Sequence, residues 1–215
     1  MKFVPGDALS GFVVESAETL TEIDGAAFVM RHQASGARLL YLQNDDPNKA
    51  FSISFKTPPA DDTGVFHILE HSVLCGSTKF PVKEPFVNLL RNSMQTFLNA
   101  MTFGDKTMYP VASTNERDLI NLMDVYLDAV LHPNIYEKEN IFKQEGWHLE
   151  LDDERRPEFN GVVFNEMKGA LSSPDAVVYQ ELQAKLFPDT ASAFESGGMP
   201  AAIPGLSSEG VLDDH

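Results

Sequence analysis

The sequence has little cysteine and no long apolar run. Cys75 is the single cysteine among 215 residues, so no disulfide can form within the chain, as is usual in a reducing compartment. No stretch of about 18 apolar residues occurs, so neither a membrane-spanning helix nor a membrane partner is predicted. The first residues also lack the apolar core of a secretory signal and the Arg-rich character of a transit peptide. We therefore expect a cytoplasmic protein, or one of the mitochondrial matrix if a leader has been removed.

Basic residues are also scarce. The chain has 16 Lys and Arg against 32 Asp and Glu, which gives a formal net charge of −16. Such a chain repels the phosphate backbone, so nucleic-acid binding is excluded as a predicted function. The charge favours solubility and would attract basic peptides.

The remaining composition is that of a folded protein, because 43% of the residues are hydrophobic and 22% are charged. This is enough for a core in one large or two small domains. Residues 27–33 and 37–43 flank a short loop with Gly36, which predicts a hairpin, and residues 50–56 alternate as a half-buried strand. A second tight hairpin is predicted around Gly104-Asp105. With the helices described next, these strands predict an α+β fold in which helices pack on a mainly antiparallel sheet.

Two helices matter for function. The first is predicted over residues 64–75, where apolar side chains are spaced as one helical face, at Phe66, Leu69 and Val73. The second is predicted over residues 163–186, where Pro174 either kinks or splits it. After Pro188, glycine and proline interrupt the sequence, which predicts an irregular end that docks nowhere and resembles a cut inside a longer protein.

The first of these helices carries the strongest chemical pattern, His67-Ile68-Leu69-Glu70-His71. Residues four apart lie on one face of a helix, so His67 and His71 can bind the same ion. Imidazole nitrogens are common zinc ligands. Glu70 lies on the same side but offset, where it can act as a general base on a metal-bound water. This order of residues is the inverted form of the H-E-x-x-H zinc motif.

A catalytic zinc requires a third protein ligand, and spacing alone leaves several candidates. Cys75 lies eight residues after His67, about 12 Å along a continuous helix, which is too far to share an ion. His132 and His148 each stand alone in the sequence. Glu166 follows an apolar run near the start of the later helix, and the other carboxylates that remain open are Glu145, Glu158 and Glu181.

The sequence resembles the pitrilysin/insulinase family of zinc metallopeptidases, most closely its presequence-protease subfamily. The segments that carry the resemblance are residues 67–86, 96–110, 121–133, 142–150 and 161–175. In that family two histidines and a later glutamate bind zinc, and the glutamate of the motif is the base. The resemblance therefore implies His67, His71 and Glu166 as zinc ligands and Glu70 as the catalytic base.

The resemblance also implies a substrate and a domain context. It implies that an extended peptide lies along a sheet edge formed by Asn99, Ala100, Met101 and Thr102. Family members are much longer, with two halves around a chamber, so residues 1–215 are expected to be the N-terminal zinc-binding catalytic domain, one half-domain, of a longer peptidase. The implied partners are unfolded, preferably basic peptides and the remaining domains of the parent chain. Without those domains, we expect weak activity or none.

Two other functions remain open. Ribosylhomocysteine lyases share the H-x-x-E-H pattern, but the resemblance to them would imply a cysteine as the third metal ligand. The separation of about 12 Å between His67 and Cys75 along a helix excludes Cys75 from that role. The second alternative is a zinc-binding module that is catalytically incomplete when isolated. A zinc assay separates a metal site from a purely structural helix, and a peptide-cleavage assay separates an enzyme from a module.

Overall fold

The computed structural model describes residues 3–83 and 85–215, so Met1, Lys2 and Glu84 lie outside the described residues. The chain divides into two compact units, residues 1–47 and 48–215. Antiparallel sheets and helices form them, which confirms the predicted α+β fold class.

The first unit is a four-stranded antiparallel sheet in the order β1-β2-β3-β4. Its strands are β1 (Ala8–Leu9), β2 (Phe12–Leu20), β3 (Gly25–His32) and β4 (Arg38–Gln43). Strands β3 and β4 form the predicted hairpin, and Gly36 in its loop has a φ of 74°, which glycine adopts without steric cost. The buried core of this unit is Val14, Phe28 and Met30.

The second unit contains a larger sheet and a small one. The strands of the larger sheet are β5 (Lys49–Lys56), β6 (Gln95–Leu98), β7 (Met101–Thr102) and β8 (Lys106–Ser113). Strand β8 pairs with β5 on one side and with β6 and β7 on the other, all antiparallel. The predicted hairpin around Gly104-Asp105 is therefore the β7–β8 connection. The small sheet pairs β9 (His148–Leu151) with β10 (Pro157–Asn160).

Seven α-helices lie among the described residues of the second unit. They are α1 (Val65–Val73), α2 (Pro85–Asn92), α3 (Glu116–Leu131), α4 (Glu139–Glu145), α5 (Val162–Ala170), α6 (Pro174–Leu186) and α7 (Ser208–Asp213). The long helix predicted over 163–186 is split, because Pro174 begins α6 and the Ser173 side chain accepts a hydrogen bond from the Ala176 amide. None of the helices in the described ranges is long and apolar enough to cross a membrane.

Helix α1 lies between the two cores of the second unit. Val73 belongs to the core that α3 forms against the β5–β8 sheet, while Ile68 and Leu69 belong to the core with α4, α5 and α7. The predicted single apolar face is therefore incomplete, because Ile68, outside that face, has no exposed surface. A helix covered on two sides holds its side chains with little freedom, which suits a functional site.

The C-terminal stretch docks, and the prediction of an irregular end without contacts is wrong. Ile203 and Val211 have no exposed surface and pack into the same core as Ile68 and Leu69. Periodicity did not indicate this, because Ile203 lies in a short 3-10 turn and its contacts are distant in sequence. The C-terminal stretch thus forms part of the core that packs against α1.

We expect Ile203→Ala to lower the free energy of unfolding by about 2–5 kcal/mol, because it leaves a cavity beside α1. Ile120→Ala is the matched control, since Ile120 is 58% exposed on α3 and should change stability by less than about 0.5 kcal/mol. Urea denaturation of both variants measures the difference. Equal midpoints and slopes would contradict the docking of this segment.

Candidate metal centre

Helix α1 places the three side chains of the predicted motif, His67, Glu70 and His71, beside one cleft. The His67 and His71 rings lie 4.9 Å apart between centroids, as residues four apart on a helix should. His67 and Glu70 are only 8% and 6% exposed, because α1 is covered on both sides. The three side chains line a cleft of about 750 Å³.

Helix α5 brings Glu166 to the two histidines. Its Oε2 atom lies 3.8 Å from His67 Nε2 and 3.6 Å from His71 Nε2. One ligand atom from each residue falls within 4.8 Å of the others, and no other such group of three occurs in residues 3–83 and 85–215. Tetrahedral zinc with bonds of about 2.0–2.2 Å sets its ligand atoms about 3.3 Å apart, so this donor set fits zinc with a small inward shift.

The second nitrogen of each imidazole has its own partner. His67 Nδ1 lies 3.0 Å from the Gly197 carbonyl oxygen, and His71 Nδ1 lies 3.3 Å from Glu145 Oε2. Because a carbonyl only accepts, the His67 contact requires the proton on Nδ1. Both rings are thus held with Nε2 directed at Glu166. In metal sites, histidine ligands are commonly oriented in this way, by a hydrogen bond from the other ring nitrogen to a carbonyl or carboxylate.

Glycine makes the contact to His67 possible. Gly64, the residue before α1, has a φ of 69°, and a Cβ atom there would lie 2.6 Å from the Gly197 carbonyl oxygen. Any larger residue would push the 197–198 backbone away from α1. The glycine-rich stretch therefore contributes to the site by close backbone approach.

Glu70 is not a member of the three-residue group, but it lines the same cleft. Burial raises the pKa of its carboxyl, although the Thr102 hydrogen bond and the His67 and His71 charges oppose the shift. A buried carboxyl with a raised pKa accepts a proton more readily than a solvated one.

His71 and Glu145 form a coupled pair. Burial lowers the pKa of His71, but the hydrogen bond to Glu145 and the nearby carboxylates outweigh it, so the net shift is upward. Burial raises the pKa of Glu145, but its hydrogen bonds with His71, Cys75 and Gln144 outweigh that effect, so the net shift is downward. The contact therefore favours an ionised carboxylate beside an imidazole.

The predicted substrate-binding residues line the same cleft, on the edge of the sheet. Asn99, Ala100, Met101 and Thr102 all border it, and β7 pairs with β8 alone. The Asn99 amide donates to the Pro110 carbonyl at 3.2 Å, so residue 99 faces β8. Because antiparallel strands alternate, Ala100 and Thr102 direct main-chain groups to the open side of the edge.

The rival ligand candidates lie outside the three-residue group. Glu145 lies in the cleft but contacts His71 Nδ1, on the ring edge away from Glu166. Cys75 lies beyond the end of α1, and its Sγ is 3.3 Å from Glu145 Oε1. Cys75 is therefore not on one continuous helix with His67, and the separation of about 12 Å expected for such a helix does not hold. The remaining candidates are also not in the group, and these are His132, His148, Glu158 and Glu181.

Comparisons with known proteins identify a family and a fold for this chain. Residues 57–187 match the family described as Insulinase (Peptidase family M16). Protein HypA of Clostridium perfringens (strain 13 / Type A) is 53% identical over 216 residues, which cover 100% of this chain and 22% of that protein. Presequence protease 1, chloroplastic/mitochondrial, of Arabidopsis thaliana is 49% identical over 95% of this chain and 19% of its own length. The mitochondrial presequence protease of Mus musculus is 43% identical over 100% of this chain and 21% of its own length.

The chain spans about a fifth of the length of these curated relatives. Among solved structures, the crystal structure of pitrilysin matches with a TM-score of 0.70 and 16% identity. That match covers 95% of this chain and 21% of the pitrilysin chain, and at this identity it shows the fold alone.

Proposed function

Because the chain belongs to the insulinase family, peptidase family M16, we propose that it is a zinc-dependent endopeptidase domain that hydrolyses unfolded peptides. The observation that carries the proposal is the group His67, His71 and Glu166, whose ligand atoms lie within 4.8 Å of one another beside Glu70. Residues 1–215 would then be the N-terminal zinc-binding catalytic domain of a longer peptidase. The lengths of the relatives support this part of the proposal.

In this function each side chain has one role. His67, His71 and Glu166 would hold zinc, which would supply a Lewis acid and lower the pKa of water towards neutrality. Glu70 takes a proton from the attacking water as its oxygen bonds to the scissile carbonyl carbon. Glu70 then gives the proton to the leaving nitrogen as the carbon–nitrogen bond breaks.

The sheet edge binds the substrate. A peptide in extended conformation adds a strand beside residues 99–102, where main-chain hydrogen bonds hold it irrespective of sequence. Thr102 lies at the end of this edge and also contacts Glu70, so a peptide paired there passes beside the base. Most main-chain groups of a folded protein are already paired, so this pairing favours unfolded segments as substrates.

The experiment is a cleavage assay on an unfolded peptide, with products identified by mass spectrometry. We expect cleavage by the zinc-loaded full-length parent protein, its loss after chelation and its return on adding zinc. Cleavage that persists in a chelated, metal-free sample would contradict the proposed chemistry.

A specific observation favours the alternative of a zinc-binding module that is catalytically incomplete in isolation. The cleft lining, as far as the structure describes it, contains no lysine, arginine or tyrosine to stabilise a developing oxyanion. Loss of one such donor typically lowers a rate by about 10²–10³-fold. Stoichiometric zinc without measurable cleavage by this 215-residue chain would support the module.

We expect the full-length parent protein to cleave basic peptides faster than acidic peptides of the same length at low salt. The net charge is −16, and four of the acidic side chains line the cleft, namely Glu70, Glu145, Glu166 and Glu195. The difference should shrink as the Debye length falls from about 10 Å at 0.1 M salt to about 3 Å at 1 M. Initial rates on charge-inverted peptides measure it, and equal rates at low salt would refute electrostatic steering.

A further inference from the structure

Glu145 is a buried acidic residue that the proposed reaction leaves without a role. It ends α4, is 7% exposed and is absent from the group of three ligands. A carboxylate taken out of water is unfavourable unless both oxygens have partners. Here both do, since Oε2 meets His71 Nδ1 at 3.3 Å while Oε1 meets the Cys75 thiol at 3.3 Å and the Gln144 amide at 2.7 Å.

We propose that Glu145 is a positioning residue for the metal site, which orients His71 and does not itself bind the ion. The proposal rests on the proposed function, because it takes His71 as a ligand. In this role the Glu145 carboxylate determines which His71 nitrogen faces the metal.

The geometry separates the two carboxylates that touch His71. Glu166 approaches Nε2 at 3.6 Å, and Glu145 approaches Nδ1 at 3.3 Å, on a different edge of the ring. An ion at Nε2 is therefore out of reach of Glu145. A neutral imidazole has one N–H, and an acceptor at Nδ1 keeps the proton there and leaves the Nε2 lone pair for the metal.

The two histidines are held differently. His67 has the main-chain carbonyl of Gly197 at Nδ1, and replacing a side chain does not remove a main-chain carbonyl. His71 relies on a side chain, so its orientation can be tested by replacing one residue. The partners of the other Glu145 oxygen, Cys75 and Gln144, hold the carboxylate in turn.

Three variants test the role of Glu145. Glu145→Ala removes the acceptor and Glu145→Gln keeps the size and a neutral acceptor. The control is Glu139→Gln, which changes an exposed carboxylate on the first turn of the same helix, outside the cleft lining. Loss of such a partner typically weakens metal binding by about 10- to 100-fold. We expect that loss in Glu145→Ala, a smaller one in Glu145→Gln and the wild-type affinity in Glu139→Gln, each measured by competition with a chromophoric chelator.

A second readout needs neither metal nor activity. In the metal-free protein, at a pH where the ring is neutral, ¹⁵N chemical shifts of His71 report which nitrogen carries the proton. We expect the Nδ1–H form in the wild type and a shift towards Nε2–H in Glu145→Ala, whereas a merely structural role would leave the tautomer unchanged. If Glu145→Ala does not fold, zinc affinity and the His71 tautomer are both measured on Glu145→Gln.

The outcomes separate this proposal from the proposed function. If the wild type binds no zinc, the metal site and the positioning role both fail. If His71→Ala loses zinc while both Glu145 variants keep the wild-type affinity and tautomer, only the positioning role is overturned. If zinc binding falls to the level of the His71→Ala variant in Glu145→Gln, with the tautomer unchanged, Glu145 is a ligand and the proposal is wrong.

Discussion

In the full-length parent protein, Glu70→Gln is expected to keep one zinc per chain and to lower peptide hydrolysis by at least about 10²-fold, the usual contribution of a general base. Glutamine fills the same 6%-exposed space on α1, so the fold should be unchanged, but it cannot accept the proton of the attacking water. The metal group does not include Glu70, which is why zinc should remain. Zinc by mass spectrometry of the native protein and rates on one unfolded peptide measure the two effects together.

The matched control for Glu70→Gln is Glu139→Gln, on the exposed first turn of α4. It removes one acid at a distance from the cleft lining and should change neither zinc nor rate. Loss of zinc in Glu70→Gln would place Glu70 among the ligands. An unchanged rate with zinc retained would leave the proposed base without a role.

Local patterns were sufficient to predict the parts of the site that lie on one helix. The spacing of His67 and His71 fixed their common face on α1, and the structure has that helix over Val65–Val73. Short-range turn residues also predicted the β3–β4 and β7–β8 hairpins. In each case the interacting groups are close in sequence, so a helical or strand period describes their geometry.

Long-range contacts could not be predicted from patterns. Gly197 lies 130 residues after His67 in the chain, and its carbonyl reaches the ring only because Gly64 permits close approach. The sequence leaves Glu145 open as a third ligand, because it shows that a carboxylate is available but not which edge of the His71 ring that carboxylate contacts. The burial of Ile203 was missed for the same reason.

The prediction of the third ligand shows where the resemblance to a known family added information that residue spacing did not contain. Apolar residues before Glu166 indicated a helix that faces a core, but Glu158, Glu145 and Glu181 fitted the chemistry as well. The resemblance singled out Glu166, and its Oε2 lies 3.6–3.8 Å from both Nε2 atoms. Its side chain is 52% exposed, so packing alone does not require a carboxylate there.

Glu166→Gln is therefore expected to lower zinc affinity strongly while the fold remains intact. The substitution keeps the size of the side chain but removes the charge that balances the ion between two neutral imidazoles, and a catalytic zinc is held by only three protein ligands. The loss should exceed the about 10- to 100-fold effect typical of an outer partner such as Glu145. Glu158→Gln is the control, because Glu158 lies on β10 opposite Glu150, is exposed and is absent from the ligand group, so it should keep full zinc occupancy. Chelator competition on both variants decides the assignment, with thermal unfolding of the metal-free proteins as the check on folding. Retention of zinc by Glu166→Gln together with its loss from Glu158→Gln would overturn the ligand set, since the ion would then lie on the β9–β10 side of α5.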